Sequence, residues 1–236
     1  MERLRAALSA MNIEYTEKQE EQFAAYMDGV LAWNERVNLT AIRERGEFIT
    51  KHFIDSVLCA GEPEIRNARK IIDVGTGAGF PGVPLAIVFP QKEFVLMDSL
   101  NKRLKIIKEL CEHTGIKNVS TIHARAEELA KSKAHRESYD ACISRAVANL
   151  STLCEYCLPF TAKGGSFLAY KGPDLATELN GASRAIELLG GRLDRICEPQ
   201  IPGFELEHKI LFIKKIKETP AKYPKKAGIP SKEPLK

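Results

Sequence analysis

Ten residues constrain this chain more than any others: Asp73-Val-Gly75-Thr-Gly77-Ala-Gly79-Phe80-Pro81-Gly82. They follow a short apolar run, Lys70-Ile-Ile-Asp-Val74, that reads as a buried strand, and they precede a helical candidate at Pro84–Phe89. A strand, a glycine-rich turn and a helix in that order form the setting of a nucleotide-binding loop. Glycines there permit positive φ and let the backbone approach a ligand with no Cβ in the way. Two ligand classes compete for the loop. Gly77, Gly79 and Gly82 satisfy the G-x-G-x-x-G spacing of a dinucleotide site. An acidic residue just ahead of the glycines favours a nucleoside site without phosphates, and Asp73 stands there. Its carboxylate would repel a pyrophosphate and attract a cationic or amino-acid ligand, so Asp73 decides for the second class. Asp98 lies 19 residues beyond Gly79, at the end of Phe94-Val-Leu-Met-Asp98, where a carboxylate can accept from both ribose hydroxyls. It also reads as an N-cap for the helix that follows.

The rest of the chain supplies the frame for such a loop. Strand-like runs recur at Val119–His123, Ala141–Ser144 and Ser166–Tyr170, with helical candidates at Lys102–Thr114, Ala126–Ala130 and Ser151–Phe160 between them. Strands alternating with helices predict an α/β fold with a mostly parallel sheet wound on both faces. Arg192–Cys197 and His208–Ile216 alternate in polarity and predict an antiparallel C-terminal hairpin on its edge. N-terminal helices precede the sheet. Thr16 and Gln19 form a capping box, followed by a stripe of Phe23, Met27, Val30, Leu31 and Val37 with Trp33 nearby. A second helix is expected from about Glu47 to Ala60. The predicted organisation is therefore a helical segment over residues 1–60 packed on the core, the sheet domain over 61–217 and a tail over 218–236.

Composition narrows the setting. The longest mostly apolar stretch, Val83–Phe89, is far too short to span a bilayer, and Met1–Glu21 mixes charges with no apolar signal region. Six cysteines without regular spacing suit a reducing cytosol. Cys154 and Cys157 form a lone C-x-x-C and read as buried thiols, and the histidines suggest no metal cluster. A cytoplasmic protein without membrane contact is expected, and with no dimer signal, a monomer. The net charge of +4 is unevenly placed: residues 214–236 carry +6 and the remaining 213 carry −2. Four prolines keep that end from continuing as a regular helix, so an extended lysine-rich arm that touches phosphates is expected. A solvated terminus without a role is the competing reading.

Several blocks together resemble one family. Asp73-Val-Gly-Thr-Gly-Ala-Gly-Phe-Pro-Gly-Val-Pro-Leu85 is similar to the glycine loop of the GidB/RsmG family, small-subunit (16S) rRNA guanine-N7 methyltransferases that use S-adenosylmethionine. Trp33-Asn34…Val37-Asn38-Leu39-Thr40, His52-Phe-Ile-Asp55-Ser56, Asp98-Ser99-Leu100 with Lys102-Arg103, Ser144-Arg145-Ala146, Lys171-Gly172 and Tyr223-Pro-Lys-Lys-Ala-Gly228 match it in order. The resemblance covers essentially the whole chain and implies a Rossmann-like class I methyltransferase fold acting on the small ribosomal subunit. It implies that Asp73, Gly75, Gly77, Gly79 and Phe80 line the cofactor pocket. Asp98 and Ser99 would hold the ribose, Ala126 and Glu127 would border the adenine, and Arg145 would stand between cofactor and RNA. Asn38, His52, Asp55 and Arg145 would position the target base, with Arg125, Lys171, Lys222, Lys225 and Lys226 on the RNA. Without the resemblance, His52 and Asp55 read as an intrahelical pair.

Guanine N7 carries a lone pair and no proton, so this reaction needs orientation and desolvation rather than a general base. None is expected here, and replacing Arg145 by alanine is expected to abolish transfer with little loss of fold. Three alternatives remain: a methyltransferase of a small molecule or protein, a non-catalytic ribosome-associated binding module and, last, a dehydrogenase.

Overall fold

The computed structural model describes residues 1–145, 148–172, 175–206 and 208–236. Among them seven strands form one sheet: β1 (Lys70–Val74), β2 (Glu93–Asp98), β3 (Val119–His123), β4 (Tyr139–Ser144), β5 (Thr161–Lys171), β6 (Gly191–Cys197) and β7 (Lys209–Lys215). Their order is β3-β2-β1-β4-β5-β7-β6. The pairs among β1 to β5 are all parallel, and β7 runs antiparallel to both β5 and β6. The chain thus closes as expected, with β7 inserted inside β6. The chain order reverses between β1 and β4, and ligands gather at the carboxyl ends of strands flanking such a switch point.

Alternation along the strands sorts side chains onto two faces. Ile71, Phe94, Leu96, Ala141, Ile143, Leu168 and Phe212 join one apolar cluster, while Ile72, Val74, Val95, Met97, Cys142, Phe167 and Ile213 join the other. The first face is covered by α1 (Glu2–Ala10), α2 (Glu17–Asn34), α3 (Arg45–Phe48), α4 (Pro63–Arg66), α5 (Gly82–Val88) and α6 (Asn101–His113). The second is covered by α7 (Ala126–Leu129), α8 (Leu150–Cys157) and α9 (Leu175–Leu188). The capping box at Thr16 and Gln19 is formed, and the Gln19 amide also donates to Ile87 O at 2.6 Å, tying α2 to α5.

Three elements depart from expectation. The span from Glu47 to Ala60 is not one α-helix: α3 passes into a π-helical stretch, Ile49–Ile54, and then a 3₁₀ turn, Val57–Cys59. Such widened turns accumulate at functional sites because they re-aim side chains. Helix α9 went unpredicted, its polar outer face masking a stripe formed by Leu175, Ala182, Ala185 and Ile186. The tail is not a free arm. Thr219 N–H donates to Glu137 at 2.6 Å, the Arg136 guanidinium donates to Thr219 O and Tyr223 O, and Tyr223 is buried. A short helix, α10 (Ile229–Lys232), completes a strap laid along α8.

Candidate active site

Two cavities open at the carboxyl ends of the strands, on opposite faces of the sheet. The larger, about 490 Å³, is lined by Val74, Gly75, Asp98, Ser99, Ala126 and Glu127 among others. The smaller, about 300 Å³, is lined by Ile42, His52, Asp55 and His208 among others. Arg145, immediately after β4, lines both. Both volumes fall within the roughly 300–1,000 Å³ typical of small-molecule sites.

In the larger cavity, Asp98 is fixed by the backbone. Its Oδ2 accepts from Gly77 N–H at 3.0 Å and its Oδ1 from Leu100 N–H at 2.8 Å. Each carboxylate oxygen keeps a lone pair, so a pair of hydroxyls could still donate to it. Gly75 takes φ 76° and Gly77 φ 61°, conformations that suit glycine in a loop folded against a ligand. Arg125 is exposed at the rim. Glu127 is buried, and its Oε1 accepts from Gly228 N–H of the strap at 2.7 Å.

Asp73 does not face this cavity, which corrects its expected role. Strand alternation puts it on the face opposite Val74, beneath the glycine loop. Its Oδ2 accepts from Thr76 Oγ1 at 2.7 Å and from Gly82 N–H at 2.9 Å, while its Oδ1 is buried without a partner. Burial raises its pKa to about 7, against the Thr76 and Gly82 hydrogen bonds. Asp73 therefore braces the loop, and no charge attraction to a ligand is needed to explain it. Gly79 serves packing: a Cβ there would collide with the Tyr26 hydroxyl, which donates to Ala78 O at 2.9 Å. Phe80 lies on the Asp73 side, stacked against His52 with centroids 4.4 Å apart.

The smaller cavity is organised around Arg145. Its Nη1 donates to Asp55 Oδ2 at 2.5 Å and to Lys51 O at 2.9 Å, and its guanidinium sits 5.5 Å from the Phe80 ring centroid. Asp55 Oδ1 faces His208 Nδ1 at 2.8 Å. Burial pulls the Asp55 pKa up, but the His208 hydrogen bond and the Arg145 charge outweigh it and hold the carboxyl below its ordinary range. Arg145 Nη2 lies 3.2 Å from His52 Nδ1. A guanidinium only donates, so Nδ1 accepts and the neutral ring carries its proton on Nε2. That proton points to Thr40 Oγ1 at 2.6 Å, which also accepts from Ile42 N–H. Burial, then the Arg145 charge, pushes the His52 pKa down to about 3, against Asp55 and the Lys51 backbone. His52 and Asp55 do not pair with each other as an intrahelical couple; each binds Arg145.

Two other expected residues lie outside these groups. Asn38 is exposed; its neighbour Asn34 does the structural work, accepting from Leu39 and Thr40 N–H and so holding Thr40 under His52. Lys171 is buried, its ammonium donating to Ala148 O at 2.6 Å and paired with Glu178 at 2.7 Å, so it is not free for a phosphate. Lys222 and Lys226 are exposed on the strap, and Lys225 is half-buried against Glu155 at 3.4 Å. Ala146 of the Ser-Arg-Ala block lies outside the described residues. His208 was missed because nothing local marks it: it meets Asp55 across 153 residues. The six cysteines are free thiols, and among the described residues no metal-binding cluster occurs.

The family model described as "rRNA small subunit methyltransferase G" matches residues 19–201. A ribosomal RNA small subunit methyltransferase G of Alkaliphilus oremlandii is 48% identical over 233 residues, 99% of this chain and 98% of the relative. The chain belongs to the rRNA small subunit methyltransferase G family. It is a methyltransferase. A second member, from Clostridium novyi, is 47% identical over 98% of this chain and 96% of its own. At the level of fold alone, the Methanococcus jannaschii fibrillarin pre-rRNA processing protein superposes with a TM-score of 0.51 at 17% identity, covering 65% of this chain and 70% of that one. The match to family members reaches past residue 201, so the strap belongs to the family's shared length. No helix among the described residues is long and apolar enough to cross a membrane.

Proposed function

We propose that this methyltransferase moves a methyl group from S-adenosylmethionine to N7 of a guanine in the 16S rRNA of the small ribosomal subunit. The observation that carries the reading is Arg145, the side chain shared by two cavities that approach each other from opposite faces of the sheet. When bound, S-adenosylmethionine supplies the methyl group. The larger cavity fits it: Asp98 and Ser99 would offer acceptors to the ribose, Ala126 and Glu127 would border the adenine, and Gly75 and Arg145 line the same cavity.

The smaller cavity would take the base. Arg145 is fixed by Asp55, Lys51 O and His52, so its guanidinium presents a set orientation where the two cavities meet. Neutral His52, stacked on Phe80, contributes a flat apolar wall without competing positive charge. Because N7 holds no proton, no residue need remove one. The protein's work would be to hold the nitrogen in line and keep water out. Of the cations expected on the RNA, Arg125, Lys222 and Lys226 are exposed and available to its backbone, and Asn38 is exposed as well. A cytoplasmic location fits a ribosomal substrate.

The test is methyl transfer from radiolabelled S-adenosylmethionine to small subunits and to naked rRNA, both from a strain lacking the activity. Label should enter the RNA at an N7-methylguanine, detected by borohydride–aniline cleavage. Cofactor binding without label in either substrate would sink the RNA reading and leave a small-molecule or protein acceptor.

A further inference from the structure

We infer that the C-terminal strap braces a wall of the cofactor cavity from behind, a positioning element that acts through Glu127 and α8. The inference rests on the reading of the larger cavity as the S-adenosylmethionine site. Helix α8 presents two faces. Leu153 and Tyr156, three apart, line the cavity. Ser151, Thr152 and Glu155 hold the strap: Ser151 donates to Leu235 O at 2.5 Å, Thr152 to Pro230 O at 3.0 Å, and Glu155 accepts from Lys225 N–H at 2.7 Å. Glu155 is wholly buried, so the strap supplies donors that its carboxylate could not otherwise find there.

Glu127 closes the connection. It lines the same cavity, and the strap's Gly228 N–H donates to its Oε1. Gly228 takes φ 79°, which turns that N–H inward ahead of α10. A buried carboxylate so held keeps one rotamer, and α7, with only four residues, has little rigidity of its own to hold it otherwise. Without the strap, Glu127 would lose its donor and α8 would lose three anchors, loosening the wall from two sides.

The measurement is S-adenosylhomocysteine binding by titration calorimetry, without RNA, to the full chain and four variants. A chain ending at Lys226 should bind about 10-fold more weakly, and the milder Gly228→Ala, strained at positive φ, should lose a smaller factor in the same direction. Adding Gly228→Ala to Glu127→Ala should cost little beyond Glu127→Ala alone, because both act on the one Gly228–Glu127 hydrogen bond, whereas the truncation also removes the Pro230 and Leu235 anchors of α8. In methyl transfer the truncation should raise the cofactor KM more than it lowers kcat. Unchanged affinity in a truncated chain that still melts in one transition would overturn the inference, as would losses that simply multiply. If truncation unfolds the chain, unchanged affinity in Gly228→Ala overturns it alone. Failure of the unaltered chain to bind S-adenosylhomocysteine would instead count against the cofactor reading.

Discussion

Arg145 has 12% of its side chain exposed and Asp55 6%, and their ion pair joins the end of β4 to the turn after α3. Replacing Arg145 by alanine leaves the Asp55 carboxylate with His208 alone, and stranding a buried charge costs about 3 kcal/mol. The expectation that the fold would barely notice is therefore corrected: Arg145→Ala should lose methyl transfer by two orders of magnitude or more and also melt measurably lower, by calorimetry. Arg145→Lys should keep part of the stability and little of the rate, because an ammonium cannot make the forked contacts to Asp55 and His52. Asp73 gives a second residue-scale prediction. Its pKa rises from 3.8 to about 7 on folding, so the folded chain binds the proton more tightly. Its contribution to stability is then fully present below about pH 4 and is lost as the pH climbs through 7. Asp73→Asn keeps an acceptor for Thr76 and Gly82, so the stability difference between pH 5 and pH 8 in urea unfolding should shrink. An unchanged difference would mean that Asp73 does not titrate in this range.

At the scale of elements, local pattern served the strands better than the ends of the chain. Lys70–Val74 and Val119–His123 appear with the expected bounds, because a short apolar run closed by glycine or polar residues has few other ways to be buried. The turn holding His52 and Asp55 was legible as helical but not as π-helical, since widening depends on what packs against it. The strap was legible as proline-rich and basic, but its seat was not. Charge reads as availability to solvent, yet Lys215 is buried beside Glu137 at 2.9 Å and Lys225 leans on Glu155. Lys222 and Lys226 remain exposed. Replacing both by alanine should lower the slope of log affinity for rRNA against log salt by about 1.5. A slope left unchanged would make these lysines solvated bystanders.

At the scale of the whole molecule, the N-terminal helices and one face of the sheet share an apolar core. A single apolar cluster runs from Leu4 and Phe23 through Phe53 to Ile71, Leu96 and Phe212, and Gln19 and Tyr26 hydrogen-bond to α5 and the glycine loop. A chain beginning at residue 61 should therefore fail to fold, by circular dichroism, and the intact chain should unfold in one transition; two separated transitions would show that the helical segment is a domain of its own. Local order determined the fold class, the glycine loop and the pairing of Asp98 with it, because strand, turn and helix signals act within about 30 residues. The same local order assigned Asp73 to the ligand, since sequence spacing cannot say which face of a strand a side chain meets. Only the tertiary structure decided that Asp73 braces the loop, that Asp55, Arg145 and His208 meet from three distant segments, and that the basic end lies down as a strap. Those outcomes depend on burial and on partners far away in the chain, where desolvation makes a charge keep a partner and local sequence does not specify which one.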